Sequence, residues 1–312
     1  MSTIVACMAQ VDNKRNRVTV YGTPVSHSVA PSLFDVIFPS VGLPRHKYTA
    51  VDCPPLLVAD NAWEKATKQP NFLGSCVTMP LKLQAVDKAD ELMPAAQALR
   101  SVNTTFLRHH ADGSVTHVGT NLDTAGVGNS LLTALLSTPT PFLADAPRCF
   151  APGTASALMI GGGGATRAAI WAVNSIGLWP IYLINRDASE TAAIVAQFPD
   201  LDLRLLETVE QVQQELGGAE KQGIRLAAGT GAIPSIEPQT NTEKNIYKVA
   251  KRVFEWPYRP ETGKPAKDGF ISLPSKPVFL EMAYKPRMTI MRKIAEDRNW
   301  QTICGVEVVL LT

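Results

Sequence analysis

Hydrophobic and polar positions in the first third of the chain alternate between strand-like and helix-like patterns. Short apolar runs predict strands at residues 17–21, 47–51 and 72–79, and apolar residues at helical spacing predict helices at residues 31–38 and 81–92. A proline in the first turn supports the start of the first helix. Strands that alternate with helices predict an α/β fold with a mostly parallel, helix-covered sheet.

The middle of the chain begins with a predicted β-hairpin and ends with a predicted domain boundary. Strands at residues 102–107 and 115–118 flank the turn at Asp112 and Gly113, and a helix follows at residues 124–136. Residues 137–154 then contain four prolines and little periodicity. Such a change in character is typical of a linker, so we expect the boundary between two domains there.

The clearest supersecondary pattern lies after this linker, in ALMIGGGGATRAAIWAVNSIGLWPIYLINRD. It predicts a strand at residues 157–160, a glycine turn, a helix at residues 165–176 and a second strand at residues 181–184, which together form one βαβ unit. Further on, the polar and proline-rich residues 237–276 predict a partly irregular excursion. A late strand at residues 278–282 and a late helix at residues 288–299 follow.

Composition is that of an ordinary globular protein. The 312 residues are 45% hydrophobic and 19% charged, which is enough to bury a core in each of two domains. The net charge is +2 and no dense cluster of lysine and arginine occurs. We therefore expect a small-molecule partner rather than a nucleic acid or a membrane.

The cysteines and histidines predict neither a disulfide framework nor a metal site. Five scattered cysteines form no CxxC pair, and no cysteine or carboxylate completes a ligand set with His109, His110 and His117. The first residues, MSTIVACMAQ, have neither a basic start nor a long apolar segment. We therefore expect no signal peptide and no transmembrane helix, and a cytoplasmic protein.

The glycine turn of the βαβ unit is a candidate dinucleotide site. Gly161, Gly163 and Gly164 lie between strand and helix, followed by the small residue Ala165. Glycine permits a tight turn and the approach of a pyrophosphate to the backbone, and the helix amino terminus offers N–H groups to the phosphates. The structural alternative is an ordinary tight βα turn.

The residues after the second strand of this unit bear on the choice of cofactor. Asn185, Arg186 and Asp187 stand where the ribose of a dinucleotide is bound. An acidic residue suits the 2′-hydroxyl of NAD, and an arginine suits the 2′-phosphate of NADP. Both types are present, and Arg186 could also stack on the adenine of either cofactor. We therefore expect NAD or NADP, with a slight preference for NAD.

Lys82 and Asp123 are a candidate proton-handling pair. Each follows a predicted strand, and the carboxyl ends of parallel strands face the crevice where α/β proteins bind ligands. The structural alternatives are a solvated lysine and a helix N-cap aspartate. If the two side chains meet, an amine held by a carboxylate can take the proton of a secondary alcohol that loses a hydride.

Seven motifs in order make the chain resemble the shikimate/quinate dehydrogenase family over nearly its whole length, in details closer to fungal quinate/shikimate enzymes than to bacterial ones. They are YGTPVSHSVAP (residues 21–31), GSCVTMPLK (74–82), SVNTT (101–105), GTNLDTAG (119–126), GGGGATRAA (161–169), INR (184–186) and EMAYKPRMT (281–289). The resemblance implies a catalytic dyad of Lys82 and Asp123 and a bound NAD or NADP. It also implies substrate contacts at Ser28, Thr78, Asn103 and Tyr284.

The resemblance further implies an interrupted domain arrangement. Residues 1–123 together with residues 288–312 would form an α/β substrate-binding domain with a mostly parallel sheet. Residues 124–287 would form a Rossmann-type dinucleotide-binding domain. The substrate would lie in the cleft between the two domains.

The chain departs from the family pattern at three positions. Ala30 replaces the second serine of H-S-x-S-P, Cys76 replaces the asparagine before V-T, and Thr312 falls where a glutamine is expected. A polar site loses roughly 1–3 kcal/mol for each buried substrate hydroxyl left unpaired. The departures should weaken shikimate binding, so we expect another polyol acid, quinate or a less polar relative as substrate, with Ala30 and Cys76 forming an altered wall.

These observations predict an NAD(P)-dependent dehydrogenase of the shikimate pathway, acting in aromatic amino acid biosynthesis or in quinate catabolism, as a monomer or a homodimer. Two alternatives stay open. One is a non-catalytic sensor of quinate or shikimate, and the other is a dehydrogenase of the same scaffold with a different substrate.

Overall fold

The fold is described by a computed structural model covering residues 16–26, 28–53, 68–69, 71–136, 149–259 and 270–311. Internal contacts divide the chain into two units, Met1–Asn121 and Leu122–Thr312. Each unit is built on its own six-stranded sheet.

The first unit contains a mostly parallel sheet. Its strands lie in the order β2-β1-β3-β5-β6-β4; β1 pairs in parallel with β2 and β3, β4 pairs in parallel with β6, and β5 is antiparallel to both its neighbours. The elements are β1 (Arg17–Gly22), α1 (Ala30–Ser40), β2 (Lys47–Asp52), β3 (Phe72–Val77), a short 3₁₀ helix (Gln84–Lys88), β4 (Glu91–Leu92), α2 (Pro94–Leu99), β5 (Thr104–His109) and β6 (Val115–Thr120).

Apolar clusters cover both faces of this sheet. Val20 and Tyr21, which alternate on strand β1, belong to two separate clusters of buried residues. On the side of Val20, the rings of Phe34 in α1 and Tyr48 in β2 stack with centroids 4.7 Å apart, and Phe38 packs beside Phe34 at 5.1 Å. The spacing of Phe34 and Phe38 is the i, i+4 spacing that places both rings on one helix face.

The second unit contains an all-parallel sheet in the order β12-β11-β10-β7-β8-β9. Its elements are α3 (Asp123–Leu136), β7 (Ala155–Ile160), α4 (Gly164–Ser175), β8 (Ile181–Ile184), α5 (Ala188–Gln197), β9 (Leu203–Leu205), α6 (Val209–Lys221), β10 (Arg225–Gly231), α7 (Asn241–Phe254), β11 (Val278–Glu281), α8 (Ile290–Glu296), β12 (Gln301–Cys304) and α9 (Gly305–Leu311). This is the doubly wound Rossmann order, whose switch point lies between the first and fourth strands, here β7 and β10.

The prediction of an α/β fold with a mostly parallel first sheet and a Rossmann-type second unit is therefore confirmed. All six residues of β7 are buried, as expected for a central strand covered by helices on both faces. Around one end of the core, the ring of Phe254 meets Phe279 at 5.0 Å and Trp300 at 5.1 Å, both edge to face. The Trp300 indole N–H donates to the carbonyl of Phe254, which satisfies its only polar group.

The predicted helix at residues 81–92 is wrong. The apolar residues Leu81, Ala85 and Val86 are buried as the pattern requires, but only residues 84–88 are helical, as one short 3₁₀ turn. Glu91 and Leu92 instead pair with β6, so the backbone is extended there, and Pro94 starts a new helix. The proline also disfavours helical backbone at Met93, which keeps the two helical segments separate.

The partly irregular excursion predicted at residues 237–276 contains a long helix in its first part, which the sequence patterns did not reveal. Helix α7 occupies 14 of these residues and begins with a capping box formed by Thr240 and Glu243. Its buried side chains are spaced at helical intervals: Ile246, Val249, Ala250, Val253 and Phe254. The many polar residues on its outer face concealed that stripe.

Some predictions fall on parts of the chain that the structure does not describe. These are most of the linker (residues 137–148), His27 in the first motif and Thr312. The division into residues 1–123 plus 288–312 and residues 124–287 stays a prediction. None of the helices in the described ranges is long and apolar enough to cross a membrane.

Gly305 provides a test of the packing at the end of β11. It begins α9, and a Cβ there would overlap the carbonyl oxygen of Met282 and lie 2.8 Å from that of Glu281. Gly305→Ala should therefore destabilise the protein by about 1–3 kcal/mol, because backbone atoms must move. Urea unfolding measures the change.

Gly218→Ala is the matched control, because it lies inside α6 with nothing within 4 Å of its Cβ position. Removing a glycine from an open helical site should stabilise by roughly 0.5–1 kcal/mol. Equal unfolding midpoints for the two variants would contradict the close packing at Gly305.

Candidate functional site

Residues at one edge of the first sheet are tied together by backbone hydrogen bonds. Strands β1, β3 and β6 end at this edge and the antiparallel β5 starts there. The N–H of Thr78 donates to the carbonyl of Tyr21 at 2.8 Å, and the N–H of Val77 donates to that of Asn103 at 2.7 Å. The N–H of Val102 donates to the carbonyl of Lys82 at 2.8 Å. The backbones that carry Thr78, Lys82 and Asn103 are thus fixed to one another.

The loop after β1 approaches the same edge closely. The N–H of Thr23 donates to the carbonyl of Met79 at 2.9 Å, and a Cβ at Gly22 would overlap the Thr78 side chain. Glycine is required here because two loops meet without space for a side chain. Five residues later, the hydroxyl oxygen of Ser28 accepts the N–H of Ala30 at 3.3 Å, at the start of α1.

A buried asparagine that the sequence patterns did not single out supports this edge. Asn121 follows β6, is 2% exposed, and its amide donates to the carbonyl and the hydroxyl of Ser101. It thereby fixes the chain just before Asn103, itself buried, whose side-chain oxygen accepts the hydroxyl of Thr104 at 3.0 Å. The signal in the sequence was a polar residue between a buried strand and a helix.

Ala30 and Cys76 belong to one apolar surface. Both are partly buried and pack against the same cluster of buried residues, which contains Val20 and Val25. Cys76 lies opposite Val20 in the parallel pair of β3 and β1. Two of the positions that depart from the family pattern are thus neighbours of one hydrophobic cluster.

The predicted dyad residues belong to different units. Lys82 is half-buried in the first unit, whereas Asp123 is 9% exposed and is the first residue of α3 in the second. Their pairing stays a prediction. Within the part of the chain that the structure describes, no group of three or more His, Cys, Asp or Glu side chains could hold a metal ion.

The glycine turn of the second unit has the geometry that an approaching phosphate requires. Gly161 has φ +123°, which side-chain-bearing residues rarely adopt, and its N–H donates to the carbonyl of Ile184. Gly163 caps α4 without a side-chain hydrogen bond, and Gly164 and Ala165 form the first turn of that helix. The first N–H groups of α4 therefore have no side-chain acceptor at the cap.

Gly162 is crowded on the opposite side of the turn. A Cβ there would overlap the Asn185 amide and the Glu190 carboxylate. The buried guanidinium of Arg167 donates to the carbonyl of Gly162 at 2.9 Å and to Gln197 at 2.7 Å. Arg167, to which the sequence patterns assigned no role, thus stabilises the glycine turn through the carbonyl of Gly162.

The residues after β8 have distinct structural tasks. Asn185 accepts the N–H of Arg186 and donates to Glu190. Asp187 is the N-cap of α5: one carboxylate oxygen accepts the Ser189 hydroxyl and the N–H groups of Ser189 and Glu190. These hydrogen bonds, the Ser189 hydroxyl first, lower the pKa of Asp187. Asp187, the acidic residue on which the slight preference for NAD was based, therefore caps helix α5.

Arg186 is exposed and its guanidinium lies 2.7 Å from the carboxylate of Glu243. Glu243 is held in place by the capping box of α7, because its other oxygen accepts the N–H groups of Gln239 and Thr240. Exposed ion pairs contribute only about 0–1 kcal/mol, so a stronger anion can replace this carboxylate.

The loop of residues 282–289, which carries the half-buried Tyr284, starts at a buried acid. Glu281 ends β11 and is 1% exposed; its carboxylate accepts the Thr289 hydroxyl at 3.0 Å and the Ala283 N–H at 3.3 Å. Burial raises the pKa of Glu281 to about 7, and the hydrogen bonds oppose that rise only in part.

Comparison with known proteins finds a matching family model for part of the first unit and similar solved structures for nearly the whole chain. Residues 20–105 match the model of the shikimate dehydrogenase substrate binding domain. A dehydroquinate dehydratase and shikimate dehydrogenase from S. pombe is 27% identical over 95% of this chain, with a TM-score of 0.65. The chain spans only about half of that protein (48%). Over nearly its whole length the chain is thus similar to a protein with a shikimate dehydrogenase part.

Two bacterial shikimate dehydrogenases have the same fold as this chain. The shikimate 5-dehydrogenase from Listeria monocytogenes, solved with shikimate and NAD, is 21% identical, with 95% of this chain and 88% of that chain covered and a TM-score of 0.64. The enzyme from Thermus thermophilus, solved with NADP(H) and shikimate, is 22% identical, with 95% and 89% covered and a TM-score of 0.61.

Glu281 had a recognisable signal in the sequence that residue-by-residue interpretation did not use. It opens the family motif EMAYKPRMT and is the one charged residue of the otherwise apolar strand VFLE. A carboxyl group at the end of a fully buried strand must be hydrogen-bonded or protonated. Both the hydrogen bonds and the protonation of Glu281 therefore bear on the stability of the protein.

Glu281 should make stability depend on pH. Its native pKa, about 7, exceeds the ordinary value of 4.5 for a glutamate. Between those values the folded chain holds a proton that the unfolded chain releases, so stability falls as pH rises. The full loss, reached above pH 7, is roughly 3 kcal/mol. Urea unfolding from pH 4 to pH 8 should show this decline in the unaltered protein.

Glu281→Gln, which stays neutral, should flatten the decline. The exposed variant Glu255→Gln serves as a control and should keep the original slope. An unchanged slope in Glu281→Gln would show that Glu281 does not titrate between the folded and unfolded states in this range.

Proposed function

We propose that the chain is an NAD(P)-dependent oxidoreductase that acts on a ring secondary alcohol of a cyclic polyhydroxy carboxylic acid. The observation that carries this proposal is the glycine turn at an uncapped helix amino terminus, in a chain whose residues 20–105 match a substrate-binding domain. Shikimate and quinate, with their dehydro forms, are the proposed substrates. The corresponding roles are in aromatic amino acid biosynthesis and in quinate catabolism.

The residues of the turn fit a dinucleotide. Gly161, Gly163, Gly164 and Ala165 would hold the pyrophosphate, because their backbone leaves the α4 amino terminus uncapped. Asn185, Arg186 and Asp187 would stand at the ribose end. Because Asp187 caps α5, we propose that Arg186 decides between NAD and NADP. The bacterial relatives, one solved with NAD and the other with NADP(H), are consistent with either cofactor.

Lys82 would handle the proton of the reaction. A bound nicotinamide would supply the hydride chemistry, exchanging a hydride with the carbinol carbon. As that carbon loses its hydride and becomes a ketone, the neutral amine of Lys82 would take the hydroxyl proton. In the reverse direction the ammonium of Lys82 would donate the proton to the carbonyl oxygen. Asp123 would orient the amine.

The substrate wall combines polar and apolar parts. Ser28, Thr78, Asn103 and Tyr284 would pair with hydroxyl and carboxylate groups. Ala30 and Cys76 belong to an apolar cluster, which supports a substrate such as quinate, or a less polar relative, over one with a hydroxyl at that wall. Leaving a hydroxyl unpaired there would cost roughly 1–3 kcal/mol.

This proposal carries a domain assignment with it. Residues 1–123 and 288–312 would bind the substrate, and residues 124–287 would bind the dinucleotide. A sensor that binds quinate or shikimate without turnover is the second candidate, favoured by the altered wall at Ala30 and Cys76. Binding of a cyclic acid with no cofactor reduction would support the sensor.

Lys82→Met should abolish turnover without affecting the cofactor. Loss of the proton-transferring amine should lower kcat by about 10²–10⁴-fold, while the Kd of the cofactor stays the same. Initial rates with quinate, shikimate and their dehydro forms, with both cofactors, measure the first quantity, and fluorescence titration measures the second.

Lys88→Met, on the same segment, is the control and should retain full activity. The role of Lys82 is refuted if Lys82→Met turns over as fast as this control.

Arg186→Ala should separate the two cofactors. Removing the guanidinium should raise the Kd for NADP at least about tenfold, the cost of one charge-assisted hydrogen bond, and should leave the Kd for NAD within about twofold. Asp187→Asn keeps an N-cap side chain and should leave both values unchanged. A selective loss of NAD binding in Asp187→Asn would restore the ribose role of that carboxylate.

A further inference from the structure

Glu281 stands where two strand ends of the second sheet meet. The N–H of Met282, the next residue, donates to the carbonyl of Gly231 at the end of β10 at 2.8 Å. A Cβ at Gly231 would lie 3.0 Å from a carboxylate oxygen of Glu281. Strands β10 and β11 belong to the half of the Rossmann sheet beyond the switch point, where the nicotinamide end of a dinucleotide lies.

The carboxyl group connects this strand end to the start of α8. Thr289, itself 1% exposed, donates its hydroxyl to Glu281 and accepts the N–H of Arg292 as the N-cap of α8. The hydroxyl oxygen of Ser235, in the loop after β10, accepts the N–H of Ile290 at 3.0 Å. The loop of residues 282–289 is therefore closed at both ends by buried polar contacts.

We propose that Glu281 is a positioning residue: its carboxyl group, through Thr289, holds the loop of residues 282–289 and so places Tyr284 for substrate binding. The inference rests on the proposed function, because Tyr284 is a proposed substrate contact. Nothing in the proposed chemistry needs Glu281 itself to touch the substrate or to move a proton.

A buried acid is retained here although burial disfavours it. The charged and titratable groups that act on Glu281 are Arg292 of α8 and Tyr247 of α7. Helix α3 also packs against β11, and its one ionisable residue is Asp123. The lone cation among them only partly offsets the cost of burial. An apolar side chain at this position would avoid the cost of burying a carboxyl group. What the carboxyl group provides instead is the pair of hydrogen bonds that it accepts from Ala283 and Thr289.

The test separates positioning from general stability. Glu281→Met keeps the side-chain length but removes both acceptors, and Thr289→Val removes the hydroxyl that bonds to Glu281. Each should raise the KM of the cyclic acid about tenfold, as expected for one lost buried hydrogen bond, with kcat within about twofold. Thr289→Ser, which keeps the hydroxyl that donates to Glu281, should retain the original KM.

The double variant Glu281→Met/Thr289→Val provides a sharper result. If the two residues act as one unit, its KM should equal that of either single variant. Multiplied effects, or equal losses of kcat and kcat/KM in the single variants, would overturn the proposal.

Hydrogen exchange keeps the inference separate from the proposed function. Peptides covering residues 282–289 should lose protection in Glu281→Met and Thr289→Val, and keep it in Glu255→Gln, whether or not any substrate is turned over. Unchanged protection in the first two variants overturns the positioning role. Absence of turnover in the unaltered protein contradicts the proposed function alone.

Discussion

Each sheet contains an interior strand that pairs in parallel with a neighbour on both sides, β1 in the first unit and β7 in the second. Parallel pairing places the carboxyl ends of these strands at one edge, and all the loops that follow them leave from that edge. The loops that carry Thr78 and Lys82 in the first unit, and the glycine turn in the second, owe their positions to this constraint. Close contacts at Gly22, with the loop after β3, and at Gly162, with the side chains of Asn185 and Glu190, then fix the loops.

The fold was predictable where a pattern was strong and local. The βαβ unit of β7, α4 and β8 was located within a few residues, because buried strands, a glycine turn and an apolar helix occur in sequence. A helix was wrongly predicted at residues 81–92 because the apolar positions fit helical spacing. In the structure Glu91 pairs with β6 as part of a strand, and Pro94 begins a separate helix. Helix α7 was missed because a polar surface helix contains few apolar residues, and only their spacing reveals it.

The candidate site was less predictable, because a charged residue at a strand end can cap a helix, hold a loop or bind a ligand. Asp187 has the sequence position of a ribose ligand, yet its carboxylate caps α5. In the sequence Glu281 was assigned no role beyond its place in a motif, yet in the structure it is a buried acid that accepts two hydrogen bonds. Only hydrogen-bond partners in three dimensions distinguish these uses. The pairing of Lys82 with Asp123 stays a prediction from the sequence and from its resemblance to the family.

The central proposal is that this chain moves a hydride between a ring carbinol and a nicotinamide. The most direct measurement uses quinate and shikimate deuterated at the ring carbinol carbons, incubated with the purified protein and either NAD or NADP. Mass spectrometry of the reduced cofactor should then show one deuterium carried over from the substrate. Reduced cofactor that carries no label, or no reduced cofactor with any cyclic acid of the panel, would contradict the account.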